Sequence, residues 1–147
     1  MLARAPGRAF FFHAANAQAR ALAQRVKRQA DVLAQLQPWL GDASKPKLGQ
    51  HVKYDQHVLA NHGITVRGYQ HDTMLQSYVL EVHRPHGLES LALRHTGRTG
   101  LSYEDLCGKG KNQIPFAQVP LDKACAYACE DADQTLDVHR VLWPQIQ

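Results

Sequence analysis

A tyrosine and an aspartate stand four residues apart in the segment Tyr127–Asp131. On a helix, this spacing places the two side chains on one face, one turn apart. A carboxylate can bind a divalent metal ion, and a phenol beside it can orient the water that the metal activates. The more ordinary interpretation of the same spacing is a solvated surface pair. The pair alone does not decide between the two.

A second segment brings a glycine, a lysine, a tyrosine and an aspartate together between Gly49 and Asp55. We expect a short strand that ends at the glycine, followed by a helix whose first turn carries Lys53, Tyr54 and Asp55. Main-chain N–H groups at a helix start, a lysine and an aromatic ring can together hold a phosphate and stack a base. The alternative is that Asp55 only favours the positive end of the helix dipole.

The elements that must position these segments alternate between helices and short strands, which is typical of an α/β domain. We expect a helix over 14–37 that Pro38 interrupts or ends, and a long last helix that begins at Pro120 and ends at Pro144. The apolar stripe of the last helix runs from Leu121 to Leu142, and Asp72 is the predicted N-cap of an earlier helix. The shorter predicted elements are strands near 47–52 and 64–69 and helices near 53–60, 73–80, 87–94 and 103–106.

The charge of the chain is unevenly distributed. The net charge is +4, but residues 1–29 contain six Arg and Lys and no Asp or Glu, so the remainder is slightly acidic. We therefore divide the chain into a basic N-terminal arm or helix of uncertain origin, 1–29, and a domain over 30–147. A basic arm can attract nucleic acid. The alternative is a segment of different origin, such as a mis-assigned start.

Cysteine content and hydropathy argue against two classes of protein. The three cysteines are an odd number and too few for a disulfide scaffold. There is no run of eighteen apolar residues of the kind that spans a membrane. We expect a cytoplasmic protein with reduced cysteines and no membrane partner.

Five segments, in order and with matching spacing, resemble the 3′–5′ exonuclease domain of family A DNA polymerases. They are Gly49–Asp55, Gln70–Leu80, Gly87–Ala92, Gly108–Gln113 and Tyr127–Asp133. The resemblance covers about residues 30–147. It implies a ribonuclease H-like α/β fold in which two Mg²⁺ or Mn²⁺ ions clamp the scissile phosphate at the 3′ end of single-stranded DNA.

The resemblance also implies roles for particular residues. Asp131 and Asp55 would be metal ligands, and Tyr127 would orient the attacking water. The residues implied to contact the single-stranded 3′ end are Gln50, His51, Lys53 and Tyr54. The basic loop Gly108–Lys111 lacks the spacing of a phosphate-binding loop, and we expect its Lys109 and Lys111 to lie near DNA.

The chain departs from the family at the first exonuclease motif, an Asp-x-Glu on a central strand. No acidic residue precedes Asp31, so the motif is absent in any register. We therefore predict an incomplete sheet with helices packed on it, and weak or no nuclease activity. One alternative is a non-catalytic nucleic-acid-binding protein that uses the basic arm, 1–29, with Lys53, Tyr54, Lys109 and Lys111. Another is a remnant without activity that forms a homo-oligomer through an exposed sheet edge.

Overall fold

The computed structural model describes residues 2–3 and 29–147. Its α-helices are α1 Gln29–Gly41, α2 Val52–Ala60, α3 Thr73–Leu80, α4 Leu88–Thr96, α5 Tyr103–Cys107 and α6 Leu121–Leu142. Its strands are β1 Leu2–Ala3, β2 Lys47–Gly49 and β3 Tyr69–Asp72, and turns of 3-10 helix lie at Gly110–Asn112, Phe116–Gln118 and Trp143–Gln145. Most of the helix expected over 14–37 lies outside the described residues, and the domain boundary at residue 29 stays a prediction.

The sheet has the strand order β1-β2-β3, with β2 in the centre. The β2 strand pairs antiparallel with β1 through Leu2↔Gly49 and Ala3↔Leu48, and parallel with β3 through Gly49↔Asp72. One edge of β2 is therefore covered over two residues by β1. A small sheet among helices agrees with the predicted α/β class, whereas the ribonuclease H-like arrangement stays a prediction.

Helix α1 continues through Pro38 to Gly41, so the expectation that this proline interrupts or ends the helix was wrong. Proline removes the N–H that would bond to the Ala34 carbonyl, but both residues are exposed, so water can reach that carbonyl. Beyond the proline, Leu40 is buried against Ile64 and Val66. This burial stabilises the last turn of the helix.

The strand expected near 64–69 forms instead at Tyr69–Asp72. Ile64 and Val66 are buried, but they lie in an extended loop beneath α1. The partner strand β2 begins at Lys47, which pairs with Tyr69. The Lys47 N–H donates to the Gly68 carbonyl at 2.8 Å, so hydrogen bonding between the two segments starts just before Tyr69.

Lys47 is a cation inside the fold, with a fully buried side chain. Its Nζ donates to the carbonyl oxygens of Asp42, Lys45 and Arg67 at 2.8–3.0 Å, and it lies 4.6 Å from the centre of the Trp39 ring. Burial lowers the pKa of this ammonium group. The three carbonyls fix the turn between α1 and β2, and so the place where β2 begins.

Helix α6 is buried along its C-terminal half. Val138 and Leu142 pack with Leu91 and Ala92 of α4 in one apolar cluster. The predicted stripe was wrong at its start, because Leu121 is 63% exposed. In the described part of the chain, no helix has both the length and the apolar character needed to cross a membrane. None of the three cysteines forms a disulfide, as predicted.

Candidate active site

Tyr127 and Asp131 lie on α6, one turn apart and both half-buried. The Tyr127 hydroxyl is hydrogen-bonded to the Asp131 carboxylate. Burial, with the charge of Asp131 as the next cause, raises the pKa of the phenol, so Tyr127 stays protonated and is the donor. The two side chains are therefore in contact and only partly open to solvent, and their catalytic role stays a prediction.

The surroundings of Asp131 raise its pKa to about 6, and burial is the largest cause. The charges of Glu130 and Glu89 also raise this pKa, whereas the hydrogen bond from Tyr127 lowers it. Glu130 has a second contact, since its Oε2 accepts from the Leu101 N–H at 2.8 Å. A half-buried carboxylate with a raised pKa gains most from a nearby cation.

The segment that follows β2 turns sharply into α2. His51 has φ 56° and ψ 49°, the left-handed conformation that non-glycine residues seldom adopt. The Gln50 side chain bonds within the fold, donating to the His86 carbonyl at 2.8 Å and accepting from the Thr73 hydroxyl at 2.5 Å. Contact of Gln50 with nucleic acid stays a prediction, and it would have to compete with these bonds.

The first turn of α2 presents the remaining predicted residues of this segment. Lys53 is exposed, and the Tyr54 ring is 64% exposed with its centre 6.0 Å from that of His51. Asp55 is half-buried, and its charge raises the pKa of the buried Tyr69 hydroxyl, although burial itself is the larger cause. The lysine and the two rings are thus open to a ligand, whereas the carboxylate lies closer to the core.

The basic loop is held in place by the chain around it. The Ile114 N–H donates to the Cys107 carbonyl at 2.8 Å, which closes the loop, and Gly108 and Gly110 supply left-handed turns. Lys109 forms an exposed ion pair of 3.2 Å with Glu104. Lys111 is also exposed. Both lysines can reach a phosphate from this loop.

Two aromatic rings beside Tyr127 were missed by the sequence reasoning. Tyr103 and Phe116 are stacked with ring centres 6.0 Å apart, and Phe116 lies 6.2 Å from Tyr127. Both rings are about 40% exposed. They flank the basic loop in the sequence, and that alternation of aromatic and basic residues is the pattern that could have revealed them.

The described residues do not form a complete metal centre. Across residues 30–147, no three His, Cys, Asp or Glu side chains lie close enough together to hold one ion. Asp131 has the surroundings expected of a ligand, but its carboxylate neighbours do not complete a cage. The donor set of the described residues therefore does not fit a two-metal site.

Comparison with known proteins defines the class. The model of the 3′-5′ exonuclease family matches residues 3–147, and the chain belongs to that family. The match extends into the basic N-terminal stretch. Exonucleases of this kind generally depend on divalent metal ions.

The chain is similar to curated DNA polymerases along most of its length. It is 46% identical over 119 residues to a DNA polymerase I of Pseudomonas aeruginosa, which is 79% of this chain and 13% of the relative. It is 41% identical over 117 residues to a DNA polymerase I of Rhizobium leguminosarum, and this match covers 79% of this chain and 11% of the relative. A DNA polymerase of Escherichia phage T5 is 33% identical over 113 residues, and this match covers 66% of this chain and 13% of the relative. The chain thus spans about an eighth of these relatives.

Proposed function

We propose that this chain binds the 3′ end of single-stranded DNA as a 3′–5′ exonuclease domain of the DNA polymerase I type, with weak or absent hydrolysis. The observation that carries the proposal is the hydrogen-bonded pair of Tyr127 and Asp131, half-buried beside a row of exposed rings. The rings can stack on the base of a terminal nucleotide. The Tyr127 hydroxyl and the Asp131 carboxylate would then lie near the phosphate of that nucleotide.

The substrate class follows from the exposed rings and lysines of the predicted site segments. Exposed aromatic rings stack on unpaired bases, and each stacked base contributes about 1–3 kcal/mol to binding. Tyr103 and Phe116 offer such rings on one side, and Tyr54 offers another on α2. Lys53, Lys109 and Lys111 supply exposed charges for the phosphates. A duplex would hide the bases that these rings need.

Weak or absent hydrolysis follows from the carboxylate count. The family resemblance implies four carboxylates around two ions, of which this chain matches Asp55 and Asp131. A bound divalent ion would supply charge neutralisation at the scissile phosphate. The chain itself supplies the Tyr127 hydroxyl, which is hydrogen-bonded to Asp131. This hydroxyl can orient a polar group that lies beside the Asp131 carboxylate.

The test of hydrolysis is an assay on a 5′-labelled single strand with Mg²⁺ or Mn²⁺. We expect little or no shortening from the 3′ end. The wild type and Asp131→Asn should shorten the strand to the same extent. Asp133→Asn, a substitution on the same helix, is the matched control. Robust trimming that disappears in Asp131→Asn but persists in Asp133→Asn would contradict the proposed inactivity.

A second candidate is a nucleic-acid-binding protein without any catalytic role, which the exposed rings and lysines favour. Its affinity should fall steeply with salt concentration, because each phosphate contact releases a counterion. Lys109→Gln and Lys111→Gln should each lower the salt slope by about one. Equal affinity for strands with and without a free 3′ end would favour this candidate over the first.

A further inference from the structure

Asp72, the last residue of β3, caps two helices at once. Its Oδ1 accepts from the Met74 N–H at 2.9 Å, which is the cap of its own helix α3. The same carboxylate accepts from the N–H groups of His51 at 3.1 Å and Val52 at 2.8 Å, at the start of α2. Only the first of these roles can be expected from the local sequence.

The second cap falls on a strained position. Among the described residues, His51 alone combines a side chain beyond glycine with a positive φ. In that conformation the Cβ atom crowds the following carbonyl, which disfavours it. Two hydrogen bonds from a carboxylate to the His51 and Val52 N–H groups stabilise the strained turn, because bonds to a charged acceptor are stronger than neutral ones.

The neighbouring residue adds a second anchor to the same turn. The fully buried Thr73 hydroxyl contacts the Gln50 Oε1 at 2.5 Å and the Gly49 carbonyl at 3.2 Å. Asp72 and Thr73 together thus hold four consecutive residues, 49–52, where β2 passes into α2. That turn carries Lys53 and Tyr54, the exposed residues predicted to contact DNA.

We propose that Asp72 is a positioning residue for the DNA-binding segment Gln50–Tyr54. It acts through the main chain of His51 and Val52 and does not itself touch the strand. This role rests on the proposed function, because it assumes that the segment binds the 3′ end of single-stranded DNA. Without the carboxylate, His51 relaxes from its left-handed conformation. The first turn of α2 is then no longer held in a fixed orientation.

The test is a double-mutant cycle of Asp72→Asn and His51→Gly, with the dissociation constant for a fluorescent oligothymidylate measured without divalent metal. Glycine adopts the left-handed conformation without steric cost. We expect Asp72→Asn to weaken binding about fivefold in the wild-type background but less than about twofold in the His51→Gly background. No loss, or equal loss in both backgrounds, would overturn the proposal.

Asp42→Asn is the matched control, since the Asp42 carboxylate accepts from the Ser44 N–H at 2.8 Å in an exposed turn. We expect it to leave the affinity unchanged, and an equal loss there would overturn the proposal. Amide hydrogen exchange then separates two kinds of failure. Faster exchange at His51 and Val52 in Asp72→Asn, with Leu91 unchanged, supports the positioning role even if the wild-type chain binds no strand. Unchanged exchange at both amides overturns it.

Discussion

The hydroxyl of Tyr127 is hydrogen-bonded to the carboxylate of Asp131, one turn further along the same helix. The contact keeps a half-buried carboxylate in one orientation while burial and two neighbouring acids, Glu130 and Glu89, oppose its ionisation. Such an arrangement costs stability at neutral pH and is typical of a site built to receive positive charge.

Asp131→Asn should stabilise the metal-free protein at pH 7.5. The folded pKa of about 6 lies above the ordinary value of 3.8, so ionised Asp131 destabilises the fold. At about 1.4 kcal/mol per pKa unit, the gain approaches 3 kcal/mol above pH 7 and vanishes below pH 4. Urea unfolding across this range measures it. The control Asp133→Asn should destabilise instead, because Asp133 contacts Arg98 at 2.7 Å. A gain that does not depend on pH would contradict the assignment.

Glu89→Gln should lower the pKa of Asp131. The charge of Glu89 raises that pKa, but burial is the largest cause, so the value should move toward 3.8 without reaching it. A carboxyl ¹³C titration by NMR follows the group directly. Glu104→Gln, on exposed α5, should leave the titration unchanged. An unchanged Asp131 pKa in Glu89→Gln would place the two carboxylates further apart than the structure has them.

Protonation of His139 should destabilise the fold as the pH falls from 6.5 toward 4, and this loss opposes the gain that Asp131 contributes over the same range. This side chain is 7% exposed, its ring centre lies 4.5 Å from that of His71, and burial lowers its pKa to about 4. The unfolded chain takes up the proton first, so protonation favours unfolding by up to about 3 kcal/mol. Urea unfolding of the wild type and of His139→Phe at pH 7 and pH 4.5 isolates the loss as a difference between the two proteins. Relative to the wild type, His139→Phe should gain stability as the pH falls, whereas exposed His57→Phe should not.

Lys47→Met should destabilise the fold by about 3 kcal/mol or more, since removal of a buried charge from its partners leaves the carbonyl acceptors unsatisfied. The side chain is fully buried, and the three carbonyls lie within 3.0 Å of its Nζ. Thermal unfolding measures the loss. Lys45→Met, two residues earlier on the same turn, is the control. Equal effects of the two substitutions would show that the internal cation has no special role.

Local patterns predicted the elements but not the contacts between them. Asp72 was recognised as an N-cap because its own helix follows directly, whereas its bonds to His51 and Val52 depend on the pairing of β2 with β3. The buried state of Lys47 likewise depends on a distant carbonyl, that of Arg67. Composition gave no reason to bury a lysine.

The candidate site was predictable where a helix sets the spacing and not where a loop does. Tyr127 and Asp131 meet because they are four apart on α6. Tyr103 and Phe116 meet only because the basic loop folds back on itself, through the Ile114 bond to Cys107. Pro38 was misjudged because the stabilising contacts of Leu40 come from residues that lie far along the chain.

The most direct measurement compares the affinity of the chain for a linear single strand with that for a circular single strand of the same sequence, without divalent metal. We predict that the linear strand binds at least about fivefold more tightly, because only it offers a terminal nucleotide to the rings beside Tyr127. Phe116→Ala should remove most of that difference, whereas Val58→Ala, at an exposed position on α2, should preserve it. Equal affinity for the two strands, or no binding of either at low salt, would contradict recognition of the 3′ end.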